Sequence, residues 1–147
     1  MKNEKPEETI MKKLMTVFGI ILTALSLLLT VGVKTVFSAC DHKTEAGMWM
    51  SCHWAEQAVF AIGIALCCAS VMTVIIRNGK VRAGLALGII PTAAAAMLIP
   101  NVLIDLCMKT DMRCHSVMRP AVMLICAAII VCAGITVFTG LKSKEKA

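Results

Sequence analysis

Two short segments hold most of the side chains able to do chemistry. Residues 40–54 read CDHKTEAGMWMSCHW and residues 107–120 read CMKTDMRCHSVMRP. Each begins with a Cys, continues to Met-x-Cys-His and then runs into an apolar stretch. Together they contain all three histidines (His42, His53, His115), four of the eight cysteines (Cys40, Cys52, Cys107, Cys114) and five of the eleven methionines (Met48, Met50, Met108, Met112, Met118). Three chemistries fit. Thiols outside a reducing compartment oxidise, so Cys40, Cys52, Cys107 and Cys114 are candidates for structural disulfides, in any of three pairings. Thiolate, imidazole and thioether together suit a soft metal, Cu(I) or Zn, with Cys52, His53, Cys114, His115, Met50 and Met112 as the candidate ligands and Met118 beside them. A His next to a Cys also favours the thiolate, which points to thiol-disulfide exchange at the same cysteines. No Cys-x-x-Cys occurs in the chain. That removes the strongest zinc, thioredoxin-like and haem-attachment signatures.

The elements that position these segments are read from composition. Of 147 residues 59% are apolar and 16% charged, and the mean hydropathy is +0.83. Soluble domains carry about a quarter charged residues, so this is a membrane composition. Four uncharged runs, 14–33, 58–76, 83–104 and 121–141, each approach or exceed the roughly 20 helical residues that cross a hydrocarbon core. The expected organisation is a lead over 1–13, a four-span membrane domain over 14–141 and a tail over 142–147. Loops 34–57 and 105–120 lie at one end and a turn over 77–82 at the other, where Asn78-Gly79 is a turn signal.

Lys and Arg set the expected orientation. The lead, the turn and the tail hold ten basic residues in 25, whereas the two Cys-His loops hold five in 40, matched by five acids. Both termini are therefore expected in the cytoplasm, with the Cys-His loops outside and the net charge of +6 on the inner face. That charge reads as topology and contact with anionic lipid, not with nucleic acid. Phe37-Ser38-Ala39-Cys40 approximates a lipoprotein cleavage box. The apolar run before it is longer than a signal peptide's and Lys34 intervenes, so an uncleaved anchor is expected. Trp49 and Trp54 fall where amphipathic rings favour the membrane boundary. Gly84 and Gly88 are small residues one turn apart, expected to permit close helix contact. Pro91 is expected to kink its span. Cys67, Cys68, Cys126 and Cys132 read as small core hydrophobes. The apolar runs contain no ionisable residue, which argues against an ion path through them.

The Met-x-Cys-His motifs lie 62 residues apart, each just before a span returning to the inner side. Each half is then an outgoing helix, a Cys-His loop and a returning helix. The fold class expected is all-α, an integral membrane four-helix bundle of two tandem hairpins with a pseudo-twofold along the membrane normal. Such symmetry would bring both motifs to one end.

Phe37-Ser38-Ala39-Cys40, Met50-Ser51-Cys52-His53-Trp54 and the run from Met112 to Ala121 (MRCHSVMRPA), set among four spans, resemble the bacterial family called domain of unknown function 4418. The resemblance covers the chain from about residue 14. It implies a multi-pass protein of the bacterial cytoplasmic membrane with no established activity, and more weakly an association with ABC-type exporter components. The expected function is thus a non-enzymatic accessory or binding subunit, its outer loops held by disulfides and its partners the lipid bilayer, a membrane transporter or further copies of itself. The alternatives are an extracytoplasmic copper or zinc binding protein and a membrane thiol-disulfide oxidoreductase.

Overall fold

The computed structural model describes residues 6–38, 47, 49, 51–103 and 114–145. Four long helices dominate: α1, Pro6–Thr35; α2, Ser51–Ile75; α3, Gly79–Leu98; and α4, Arg119–Glu145. π turns follow α3 (Ile99–Leu103) and precede α4 (Cys114–Met118). No strand occurs among the described residues. Each helix contains a stretch long and apolar enough to cross a membrane. α1 packs on α2, α2 on α3 and α3 on α4, and α4 closes back on α1, giving an all-α four-helix bundle.

A seam of buried positions explains why the helices pack this way. On α1 it runs Met15, Gly19, Leu22, Ser26, Leu29, Val33; on α2, Cys52, Glu56, Val59, Gly63, Leu66, Ser70, Thr73; on α3, Arg82, Ala86, Ile89, Ala93, Ala96; and, from Met118 at the end of the π turn into α4, Val122, Cys126, Ile129, Ala133, Thr136, Gly140. Steps of four and three alternate, or nearly so, along every helix. Their mean of 3.5 is the period of left-handed bundles, whose helices cross at about 20°. Outside the seam the surface stays apolar, with Val17, Leu28, Leu87, Leu124, Val131 and Phe138 all exposed. A soluble protein would not leave so much apolar area open. In a membrane that face meets lipid, which is as apolar as the residues themselves, so shape and polar contacts select the seam.

Small residues set the closest approaches. A Cβ on Gly63 would lie 2.7 Å from Thr30 Oγ1 on α1, and one on Gly140 would lie 2.9 Å from Ala83 Cβ and 3.3 Å from the Gly79 carbonyl on α3. Gly84 and Gly88, expected at a helix contact, instead face open space on the exposed side of α3. They fall outside the four-three seam, and the seam decides burial. The seam hydroxyls mostly bond within their own helices: Ser26 Oγ donates to the Leu22 carbonyl at 2.8 Å, Ser70 Oγ to Leu66 at 2.7 Å and Thr136 Oγ1 to Cys132 at 2.9 Å. Ser26 and Ser70 bring their oxygens to 3.4 Å across the α1–α2 contact. Each buried hydroxyl thus keeps a partner where no water reaches.

Local chemistry sets the ends. Asn78 caps α3, its Oδ1 accepting the Lys80 N–H at 3.3 Å. The close of α1 turns back at Gly32, whose carbonyl accepts from Val36 and Phe37 at 2.9 and 2.7 Å. Phe37 lays its ring where a Gly32 side chain would stand. α3 runs through the exposed Pro91 as one helix. The helices also run past the apolar runs at several ends: Lys34 belongs to α1, Glu56 to α2 and Arg82 to α3. The apolar runs themselves hold no ionisable side chain, but the helices that contain them continue far enough to carry these charges near their ends.

The second half carries one extra residue. Cys52 and Cys114 lie 62 apart, but the buried positions of α2 and α4 match at 63: Ala55 with Met118, Val59 with Val122, Gly63 with Cys126, Leu66 with Ile129 and Thr73 with Thr136. The discrepancy arises between Cys114 and Met118, where the backbone winds as a π turn. A π turn holds one residue more than an α turn, so it takes up the difference before α4 begins.

Candidate functional site at the loop end of the bundle

The two ends of the bundle are called here the turn end, at residues 76–78, and the loop end, where α1 stops and α2 starts. Cys52 is the second residue of α2 and completely buried, part of the hydrophobic core that runs along the bundle. It faces the bundle because it occupies the first seam position. His53 follows by about 100° of helical rotation and leaves the seam. Its half-buried ring stacks on Trp49, with centroids 4.4 Å apart and planes at 19°, and meets Trp54 edge-on at 6.3 Å and 79°. Both tryptophans are exposed. The adjacent Cys and His therefore point to different surroundings.

One turn beyond Cys52 the seam carries Glu56, 8% exposed. Lys34, in the last turn of α1, reaches it with Nζ 2.8 Å from Oε1, and the same ammonium lies 5.1 Å from the centre of the Phe60 ring. This pair joins α1 to α2 just where the chain leaves the bundle. Sequence reading placed both residues in a loop and missed it. The readable signal was one acid four residues after Cys52, on the same helix face, and one base at the end of the preceding apolar run.

At the turn end Arg82, 5% exposed, crosses the bundle axis from α3 to α1 and donates from Nη2 to the Met15 carbonyl at 2.9 Å. Its Nε has no hydrogen-bond partner. No carboxylate pairs with it among the described residues. Sequence reading assigned Arg82 to the turn.

Of the candidate disulfide and metal residues, Cys40, Cys107, Met50 and Met112 lie outside the described residues, and Cys114 and His115 are described only in their backbone, in the π turn before α4. Met118 is fully buried beneath the loop end. No disulfide joins two of the described cysteines, and no group of three metal-ligating His, Cys, Asp or Glu side chains occurs among the described residues. Cys126 is buried, Cys67 and Cys132 are half-buried and Cys68 is exposed on the apolar face, so the four mid-span cysteines do not converge on one point of the core.

Four apolar helices around a seam of small residues define a multi-pass integral membrane protein. The chain belongs to the family described as domain of unknown function 4418 (DUF4418), whose profile matches residues 20–139. That range reaches into all four spans and includes the described part of the loop end. No curated protein and no solved structure matches the chain.

Proposed function

We propose that this is a non-enzymatic accessory or binding subunit of the bacterial cytoplasmic membrane, with both termini in the cytoplasm and the loop end outside. Its outer loops are tied by disulfides among Cys40, Cys52, Cys107 and Cys114. The observation that carries the non-enzymatic part of this reading is the seat of Cys52, a thiol fully buried at the loop end of the apolar core. A catalytic or exchanging thiol needs access to its substrate, whereas a structural cysteine is sealed in this way. The bias of basic residues toward the turn end supports the orientation. Gly84 and Gly88, open on the exposed face of α3, offer a smooth strip for a partner helix, for which an exporter component is the first choice.

Intact mass of the detergent-purified chain tests this first. Each disulfide lowers the denatured mass by about two hydrogens, with the loop thiols blocked from alkylation until reduction. Four loop thiols free in protein taken from the oxidising side would refute the proposal. For the partner, Gly88→Leu should release a co-purifying transporter subunit while leaving the bundle folded.

A second reading rests on a different observation: Cys52 and Met118, both soft donors, are each fully buried near the loop-end start of a returning helix. They would form part of a Cu(I) site completed by Cys114, Met50 or Met112, with His53 and His115 as further candidate ligands. Native mass with one copper per chain, lost in His53→Ala and His115→Ala, would put this reading first. Copper retained by both variants would remove the histidines from it.

A further inference from the structure

We propose that the turn end holds one anionic phospholipid, its acyl chain in a groove between α1 and α2 and its headgroup on the basic rim. The inference does not depend on the loop cysteines or on which side of the membrane the turn end faces. The groove, of about 340 Å³, is lined by Ile20, Thr23, Ala24 and Leu27 of α1 and by Val71, Val74 and Ile75 of α2. It runs seven residues along α1, about 10 Å of helix. Its only hydroxyl is already used, since Thr23 Oγ1 donates to the Gly19 carbonyl at 2.9 Å. What remains is a slot with nothing polar to offer, which suits a hydrocarbon chain.

Charge identifies the rest of the occupant. The groove ends at Ile20 and Ile75, and the exposed Arg77 and Lys80 follow within five residues of Ile75, with the exposed Lys13 one further turn or two along α1. Behind the groove wall stands Arg82. Its Nη2 comes within 3.3 Å of where a Gly19 side chain would begin, beside the Val74 methyl at 3.1 Å from the same point. Val74 thus lines the groove on one side and adjoins the guanidinium on the other. A buried guanidinium with an unbonded Nε and no carboxylate partner among the described residues raises the potential at this end of the bundle, and the low-dielectric surroundings carry that field outward. A headgroup of net negative charge in the adjoining layer lowers the energy of that buried charge. A zwitterionic headgroup, whose phosphate is offset by its own ammonium, does so far less, and a free anion leaves the groove empty.

Native mass spectrometry of the full chain in mild detergent, titrated with phosphatidylglycerol or phosphatidylcholine of identical chains, tests the site. The expected result is one retained phosphatidylglycerol per chain, with at least tenfold preference over phosphatidylcholine. Ala24→Phe, at an exposed position where folding is not at stake, should fill the groove and abolish retention of both lipids. Arg77→Gln combined with Lys80→Gln should bring the two lipids to near parity. Equal retention of both lipids by the unmodified chain would overturn the proposal. So would displacement of the lipid by inorganic phosphate at equal concentration, which would mean a free-anion site, or a dimer dissolved by Ala24→Phe, which would mean that a second copy occupies the groove.

Discussion

The loop end and the turn end handle buried charge in opposite ways. At the loop end the carboxylate of Glu56 is sunk in the seam, and Lys34 comes from the neighbouring helix to meet it at 2.8 Å. At the turn end the guanidinium of Arg82 is as deeply buried, yet it has a single carbonyl for company. The end crowded with Cys, His and Met is conventionally satisfied among its described side chains. The end that looks chemically plain carries the unbalanced group. Density of reactive residue types is thus a poor guide to where a structure leaves electrostatic work undone, because that depends on pairing across helices.

Six substitutions sharpen the contrast. The largest effect is expected from Gly140→Leu, which drives a side chain into Ala83, Met15 and the Gly79 carbonyl at the turn end. Backbone-limited overpacking of this kind costs about 3 kcal/mol or more, so the bundle should fail to give a cooperative melt in detergent. Gly84→Leu, facing open space on the same region of α3, serves as its control and should stay within about 0.5 kcal/mol of the parent. Next comes Lys34→Gln, which strands the buried carboxylate of Glu56. A loss of about 1–2 kcal/mol is expected in thermal unfolding, and Glu56→Gln in the same background should add little. Arg82→Gln should cost less, about 1 kcal/mol, since it removes one hydrogen bond and strands no counter-charge among the described residues. A loss at Arg82 larger than that at Lys34 would break the comparison, and would mean that the guanidinium has an anionic partner in the folded protein. Apart from the control, the smallest effect is that of His53→Ala, about 0.5 kcal/mol, the low end for a ring stack because Trp49 is exposed. It is read most directly as brightened Trp49 emission.

Much of the architecture was legible from the sequence because the bilayer imposes a coarse rule: a run of some 20 apolar residues has few ways to exist other than as a spanning helix. The family was legible for a related reason, as its motifs flank the spans. The seam was less visible. Apolar residues occur all round these helices, so no contrast of hydrophobicity marks the inner face, and the informative trace is the four-three spacing of Gly, Ala, Ser and Thr at positions such as Gly63, Ser70, Ala93 and Ala133. Gly84 and Gly88 are one turn apart but off that rhythm, so they lie on the exposed face of α3 and not in the bundle's own seam. Lys34, Glu56 and Arg82 were hidden for another reason: a charge near the end of an apolar run looks like a loop residue until the helix is seen to continue past it. For the candidate site, Cys52 and His53 are neighbours in the sequence. The turn of 100° between them sends one into the bundle and the other to the tryptophans.

The π turn at Cys114–Met118 has one more consequence. An added residue inside a packed helix ordinarily rotates everything beyond it by about 100°, which would swing the whole inner face of α4 toward lipid. Here the wider coil swallows the surplus before the first packed side chain, Met118, so the far side of the helix never registers it. The segment acts as an expansion joint. Loop length on that side can drift by a residue without disturbing the rest of the bundle, and a one-residue deletion there should be tolerated where the same deletion within Val122–Ile129 would not.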